Sequence, residues 1–337
     1  MNADDVEKKS TTEQMDTSTW PEKLEYAPIM ICVYMRLDLI RNTIEALKRN
    51  TLAPKSALFL FSDAPGHPEH AEGIREVRSY LHTVTGFKHV ILVEREKNFG
   101  PLNNFTDALG PILDRYDRYI EIEEDIVTSP YFLQYMNDAL AVYKDDPRVV
   151  GVASCKLPFP DDPDRKEVFF MQYFNPWGNA MWKKWRENTL RYEAPELLQK
   201  LYEKKLLAKF DSYSSFIVSN SRMLRMTAAR KMNALDITLS GNVLLRDGYI
   251  VYPPRSMSNH MGFGSGVHCT VETTDYLSEL ANEPARVTKK EVREDPLLVK
   301  RFHSWLLRVH LKLLFKYLFT LGPIRNLLKA KYKNREF

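Results

Sequence analysis

The residues best suited to chemistry are Glu123, Glu124 and Asp125. They close the run Tyr-Ile-Glu-Ile-Glu-Glu-Asp-Ile-Val at residues 119–127, where alternating bulky apolar residues give way to acid. The apolar part reads as a buried strand, and carboxylates at the end of such a strand are costly unless a cation balances them. Hard divalent ions such as Mg²⁺ or Mn²⁺ are the usual solution, often shared with a diphosphate. The same three residues also read as an ordinary polar strand end or a helix cap, since Asp is a common N-cap residue.

The elements around this run decide what else reaches it. Apolar strand-like runs at residues 27–34, 57–61, 89–93 and 119–122 alternate with helical patterns at 39–50, 69–83, 102–116 and 131–143. Repeated strand–helix units predict a doubly wound, mostly parallel α/β sheet flanked by helices. Ligands of such sheets bind beyond the carboxyl ends of the strands. Arg36 follows the first run, Ser62 and Asp63 the second, Asn98 and Gly100 the third, and Glu123 to Asp125 the fourth. A cation, an amide and several carboxylates would thus gather on one edge as a binding site, although loop polarity alone is the plainer reading. No Gly-x-Gly-x-x-Gly and no Walker loop follows the first strand, which sets aside dinucleotide dehydrogenases and P-loop NTPases. A diphosphate would have to be held by a metal and side chains.

The second half is less regular. Residues 149–155 read as another strand, and the aromatic run 175–185 reads as the opening of a helix, with Trp182 and Trp185 as packing residues. Trp177 and Gly178 are the better candidates for ligand contact there, because Gly admits close backbone approach. A helical stretch over about 195–231 is expected, then Asp236, a strand at 249–252 and a glycine-rich loop at 262–269.

Taken in order, the segments 33–38, 61–63, 98–100, 123–130, 177–178 and 259–269 resemble metal-dependent glycosyltransferases of the GT-A (Rossmann-like) fold. The nearest likeness is to bacterial polysaccharide enzymes related to the N-acetylglucosaminyltransferase I family, and it covers roughly residues 27–270. The resemblance implies an inverting transfer of a sugar from a nucleotide-sugar, with UDP the expected nucleotide, to a glycan or lipid-linked acceptor in surface polysaccharide synthesis. It implies that Arg36 and Asp63 contact the nucleotide, Asp63 at the uracil ring, with Asn98, Trp177 and Gly178 in the same nucleotide-sugar site. Glu123, Glu124 and Asp125 stand where the family has its acidic motif. Asp125 would ligate Mn²⁺ or Mg²⁺, and Glu123 and Glu124 would face the donor, Glu124 at its ribose or sugar. Asp236 takes the place of the catalytic base, although the aromatic residue usual before it is here Leu235. Asp211 is its rival, and a helix-cap role for Asp236 is the plainer alternative. The loop Gly264-Ser-Gly266 would close over the donor. His268 would face the diphosphate or the metal, or be merely solvated.

Two other functions share these parts: a catalytically inactive nucleotide-sugar-binding protein and a sugar nucleotidyltransferase. The latter usually carries a glycine- and basic-rich loop after its first strand, which Met35-Arg-Leu-Asp38 is not.

Composition agrees with an enzyme-sized chain. Its 337 residues are 44% hydrophobic with a net charge of +4, which does not point to nucleic acid as a partner. Three scattered cysteines show no zinc or disulfide pattern and fit a reducing, cytoplasmic location. Residues 1–25 read as a disordered leader, 26–275 as the catalytic domain and 276–337 as a helical extension. In that extension Arg308, Lys312 and Lys316 recur every fourth residue on an otherwise apolar helix. That pattern suits an amphipathic helix on an anionic membrane, the inner face of the plasma membrane, or a helix packed on the domain with its lysines in water.

Overall fold

A computed structural model describes residues 15–189, 191–263 and 273–318. The residues expected to close over the donor (Gly264 to Gly266 and His268) lie outside it, as do the first fourteen residues of the leader and the basic stretch 325–335.

The first half alternates as anticipated. It runs β1 (Ile29–Val33), α1 (Leu37–Lys48), β2 (Ala57–Ser62), α2 (Ala71–Leu81), β3 (His89–Glu94), α3 (Pro101–Arg115) and β4 (Arg118–Glu121). A short β5 (Ile126–Thr128), α4 (Phe132–Tyr143) and β6 (Val149–Ala153) follow. The second half comprises β7 (Phe169–Met171), β8 (Asn179–Trp182), α5 (Lys183–Thr189), α6 (Ala194–Glu203), α7 (Leu207–Asp211), α8 (Asn220–Ala228), α9 (Leu235–Leu245), β9 (Tyr249–Tyr252), β10 (Ser258–His260) and α10 (Pro296–Lys316).

Eight strands form one sheet in the order β3-β2-β1-β4-β8-β6-β9-β7, and β10 pairs with β5 in a second, two-stranded sheet. Only β8 and β7 run against the rest. The central sheet is therefore the mostly parallel, helix-flanked α/β sheet expected. Side-chain alternation splits its core in two. Leu58, Leu60, Ile29, Ile31 and Ile120 pack with α1, α2 and α4 on one face. Phe59, Phe61, Met30 and Tyr119 pack with α3 and α10 on the other. A third cluster, including Leu197, Leu201, Leu224 and Leu244, joins α6, α8 and α9.

The strand order positions the site. From β1 the chain winds outward to β2 and β3, then returns to place β4 on the other side of β1. The connections leaving β1 and β4 diverge there, and such a switch point opens a crevice at the carboxyl ends of the two strands.

Four differences from the sequence reading have physical causes. Residues 179–182 do not open a helix: they form β8, wedged antiparallel between β4 and β6, and the helix starts only at Lys183. Burial on both faces suits an Asn-Ala-Met-Trp run that shows no strand alternation. The stretch 195–231 is three helices, with Lys205 at φ 58° just after the first. Within the leader, Trp20 is only 3% exposed; it packs edge-on against Phe59, and its carbonyl accepts from Arg115. Finally, α10 is a packed helix along most of its length. Phe302, Trp305, Leu306 and Val309 are buried, Ser215 hydrogen bonds His310, and Lys312 pairs with Asp275. Its distal end presents Leu314, Phe315 and Tyr317 outward, as its first turn does Leu297. Among the described residues no helix is long and apolar enough to cross a membrane.

Candidate functional site

The acidic run emerges from β4 into the crevice beside β1. Glu121, the last strand residue, is held by Asn179 of β8, and burial pushes its carboxyl up to about 7 against the pull of Arg186. Glu124 turns toward β1: the Tyr34 N–H donates to its Oε2 at 3.0 Å, and Arg36 Nε to its Oε1 at 2.6 Å. The hydroxyl of Thr43 on α1 donates to its carbonyl. Burial still leaves Glu124 above the usual carboxylate range.

Asp125 is placed from the other side. The β5–β10 pairing sets His260 opposite Ile126, and the Met261 N–H donates to the Asp125 carbonyl at 2.8 Å. His260 Nε2 thereby lies 3.4 Å from Asp125 Oδ2, the oxygen that Arg36 Nη1 also reaches at 2.8 Å. Burial works to raise Asp125, but His260 and Arg36 outweigh it and hold the carboxyl below its ordinary range. Next to His260 only glycine fits: a Cβ at Gly262 would collide with Asp125 Oδ2.

Two buried polar atoms in this cluster have no hydrogen-bond partner, Asp125 Oδ1 and His260 Nδ1. Such orphans cost about 1–3 kcal/mol each and call for a missing partner. Ligand atoms of Glu123, Asp125 and His260 all lie within 4.8 Å of one another. Glu123 is the exposed member, at the mouth. Desolvation by the surrounding protein, followed by repulsion from Asp125, Glu121 and Glu124, pushes it up to about 8. Glu123, Glu124 and Asp125 face Arg36 as the one guanidinium among them, so a divalent cation fits the charge balance. Two carboxylates with one imidazole suit Mn²⁺ or a similar transition ion better than Mg²⁺.

Trp177 forms the wall behind His260. Its ring stacks on the imidazole at 4.9 Å and meets Phe263 and Tyr276 edge-on, a contact chain that continues to Trp305 of α10. The backbone of Trp177 is fixed by a serine pair: Ser258 Oγ donates to the Trp177 carbonyl and Ser154 Oγ to that of Gly178. Gly178 has φ +92°, and a Cβ there would run into Ser154 Oγ, so no other residue suits the turn.

The loops after β1, β2 and β3 are knitted together. Tyr34 places its hydroxyl 2.7 Å from His70 Nδ1 and accepts from the Gly66 N–H. Asp63 accepts from the N–H groups of Ala64, Phe99 and Gly100 and from Asn98 Nδ2, two donors on each oxygen. Asn98 spends its amide on Asp63 and the Ala64 carbonyl. The structure thus gives Asp63 and Asn98 a task the sequence reading did not foresee, holding the third loop against the second. A uracil N–H would have to displace one of these donors.

Arg36, Glu123, Glu124 and Asp125 come together as expected, with Trp177 beside them through His260. Asp236 lies in the first turn of α9, close enough to Tyr173 to help burial raise that phenol. It is not the helix cap, which is Ala234. Asp211 accepts from the Ser219 hydroxyl and from the Ser221 N–H and hydroxyl, which commits it to joining α7 to α8 and leaves it ill-suited as a base. His260 and Tyr34 were the residues missed. His260 was quoted only as part of the run from Asn259, and its pairing with the acidic run depends on a three-residue strand that has no sequence signature.

No family model and no curated protein matches the chain. Among solved structures it is similar to S. aureus TarS, at 13% identity and a TM-score of 0.34 over 51% of this chain and 31% of that one. It is also similar to a structure of S. aureus TarS 1–349, at 10% identity and a TM-score of 0.39 over 70% of this chain and 60% of that one. The chain thus spans less than two thirds of either, and the reading of the site rests on the geometry above.

Proposed function

We propose that the chain is a metal-dependent, inverting glycosyltransferase of the GT-A type. It would move a sugar from a nucleotide-sugar, UDP-linked, to a hydroxyl of a glycan or lipid-linked saccharide in surface polysaccharide synthesis. One observation carries the reading: Glu123, Asp125 and His260 converge at the β1/β4 switch point with a carboxylate oxygen and an imidazole nitrogen unpaired. Mn²⁺ held by these three residues would neutralise charge on a departing nucleoside diphosphate. Arg36, next to Asp125, contributes a second positive charge on the same side. Trp177 and Gly178 shape the wall on which the donor sugar rests, and Glu124 meets the ribose or sugar. Asp236 takes the proton of the attacking hydroxyl from the opposite side. In this reading the outward end of α10, with Leu314, Phe315 and Tyr317, rests on an anionic membrane surface at the cytoplasmic face.

Thermal melts with UDP and Mn²⁺ together, each alone, and with chelator test the binding half, since a ligand of the native state raises the midpoint. Stabilisation by the pair and its loss to chelator are expected, and equal melts in all four conditions contradict the proposal. Asp236→Asn should keep that stabilisation while transfer falls by about 10²- to 10⁴-fold, the usual worth of a general base. Turnover that releases nucleoside diphosphate separates this enzyme from an inactive binder, and release of pyrophosphate would indicate nucleotidyl transfer.

A further inference from the structure

A second pocket lies between the Arg191–Tyr192 segment, α6 and the carboxyl end of α9, and its chemistry is opposite to that of the acidic cluster. It is a cavity of about 340 Å³ lined by Arg191, Lys200, Lys204 and Arg246, with Glu203 as the one carboxylate in the lining. Four cations against one acid leave a formal excess of three positive charges.

The way these cations are held preserves that charge. The Arg246 guanidinium lies 4.6 Å over the Trp185 ring. Arg191 and Lys200 lie 5.4 Å and 4.7 Å from the Tyr192 ring. A ring face orients a cation without neutralising it, as a carboxylate would. Among the described residues Arg191, Lys204 and Arg246 form no salt bridge, and Lys200 has only Glu196 one turn away at 3.5 Å. Burial depresses Arg246, with no opposing carboxylate contribution.

The wall is fixed as well as charged. Asn242, 4% exposed, accepts from the Tyr192 N–H and donates to the Tyr192 carbonyl, so Tyr192 is clamped to α9. Tyr192 and Leu245 supply apolar surface beside the cations. The volume lies at the lower end of the range of roughly 300–1,000 Å³ for small-molecule sites, larger than a lone ion needs. Lys204 and Arg246 cap the carboxyl ends of α6 and α9, where a helix dipole favours cations. That accounts for two of the four and not for Arg191 or Lys200.

We propose that this cavity binds an anionic sugar unit, phosphate- or carboxylate-bearing, with the cations on the anion and Tyr192 and Leu245 against the ring. Resting on the glycosyltransferase reading, the unit belongs to the acceptor. Asp236 and Arg246 are ten residues apart on α9, a rise of about 15 Å, so an extended acceptor anchored at Arg246 reaches Asp236.

Binding is read directly, without turnover, by titrating glucose 1-phosphate, galacturonate, glucose and inorganic phosphate into the full chain while following Tyr and Trp fluorescence and calorimetric heat. Glucose 1-phosphate or galacturonate should bind, more tightly than glucose and inorganic phosphate. The double variant Lys204→Gln/Arg246→Gln should weaken that binding at least tenfold, with Arg191→Gln as an independent check should the double variant fold poorly. Asp125→Asn should leave it unchanged, which separates this site from the metal-site reading: absence of sugar transfer by the wild-type chain with intact anion binding refutes the enzyme assignment alone. Absence of binding to wild type, equal binding by wild type and variants, or inorganic phosphate binding as well as the sugar phosphate overturns the proposal.

Discussion

Asp63 and Asp125 are both nearly inaccessible carboxylates just past the ends of β2 and β4, yet they live in opposite conditions. Asp63 receives four hydrogen bonds, two to each oxygen, and ties the loop at Asn98 to Gly100 onto the end of β2. Asp125 shares one oxygen between Arg36 and His260 and has no partner on the other. A saturated buried carboxylate stabilises a loop, whereas an unsaturated one among like charges is a group that a bound cation would satisfy. In sequence the two look alike, each an acid following an apolar strand. The difference appears only when their donors are counted.

Substitutions can break or sharpen that contrast. The largest effect should be on folding: Asp63→Ala strands three backbone donors and an amide, and should cost about 3–5 kcal/mol in denaturant melts. A loss below about 1 kcal/mol would show the four bonds to be incidental. Next comes His260→Gln, which removes the nitrogen ligand. Mn²⁺ affinity should fall roughly 10- to 100-fold with melting of the metal-free protein nearly unchanged; unaltered affinity would remove His260 from the ligand set. Asn98→Ala deletes one of the four donors to Asp63 and should cost about 1 kcal/mol, a fraction of the Asp63 effect. The smallest change is expected from Arg36→Gln. Removing the guanidinium that competes for Asp125 Oδ2 should raise Mn²⁺ affinity a few-fold, within the ~0–1 kcal/mol of a partly exposed ion pair, while weakening donor binding. Lower Mn²⁺ affinity in this variant would mean that Arg36 organises the site rather than competing for it.

Much of the fold was legible because its drivers are local. Strand β2 is five apolar residues and a serine, all buried, and β4 alternates onto the two faces of the sheet. The expected strand at 249–252 is β9 to the residue. The short strands β8 and β10 were illegible because tertiary contacts make them. β8 exists by insertion between β4 and β6, and β10 exists by pairing with β5. The site was half legible for the same reason. Glu123, Glu124 and Asp125 are contiguous, so their gathering at one place could be read from the run itself. His260 is 135 residues beyond Asp125 and reaches it only through the β5–β10 pair. Asp63 shows the converse limit, since three of its four donors are backbone N–H groups, two of them in the β3–α3 connection, and every residue but proline carries one. The apolar face of α10 was rightly seen, but its partner along the first half of the helix is the chain itself, with Phe302 and Trp305 against Phe159, Tyr173 and Tyr276.

Isothermal titration of Mn²⁺ into the full chain and into Asp125→Asn tests the central claim most directly, because the variant keeps the shape and removes the charge. One ion per wild-type chain, at least 100-fold weaker binding in Asp125→Asn and unchanged metal-free melting are the expected outcome. Equal binding by the two proteins, or none by wild type, would contradict the metal site.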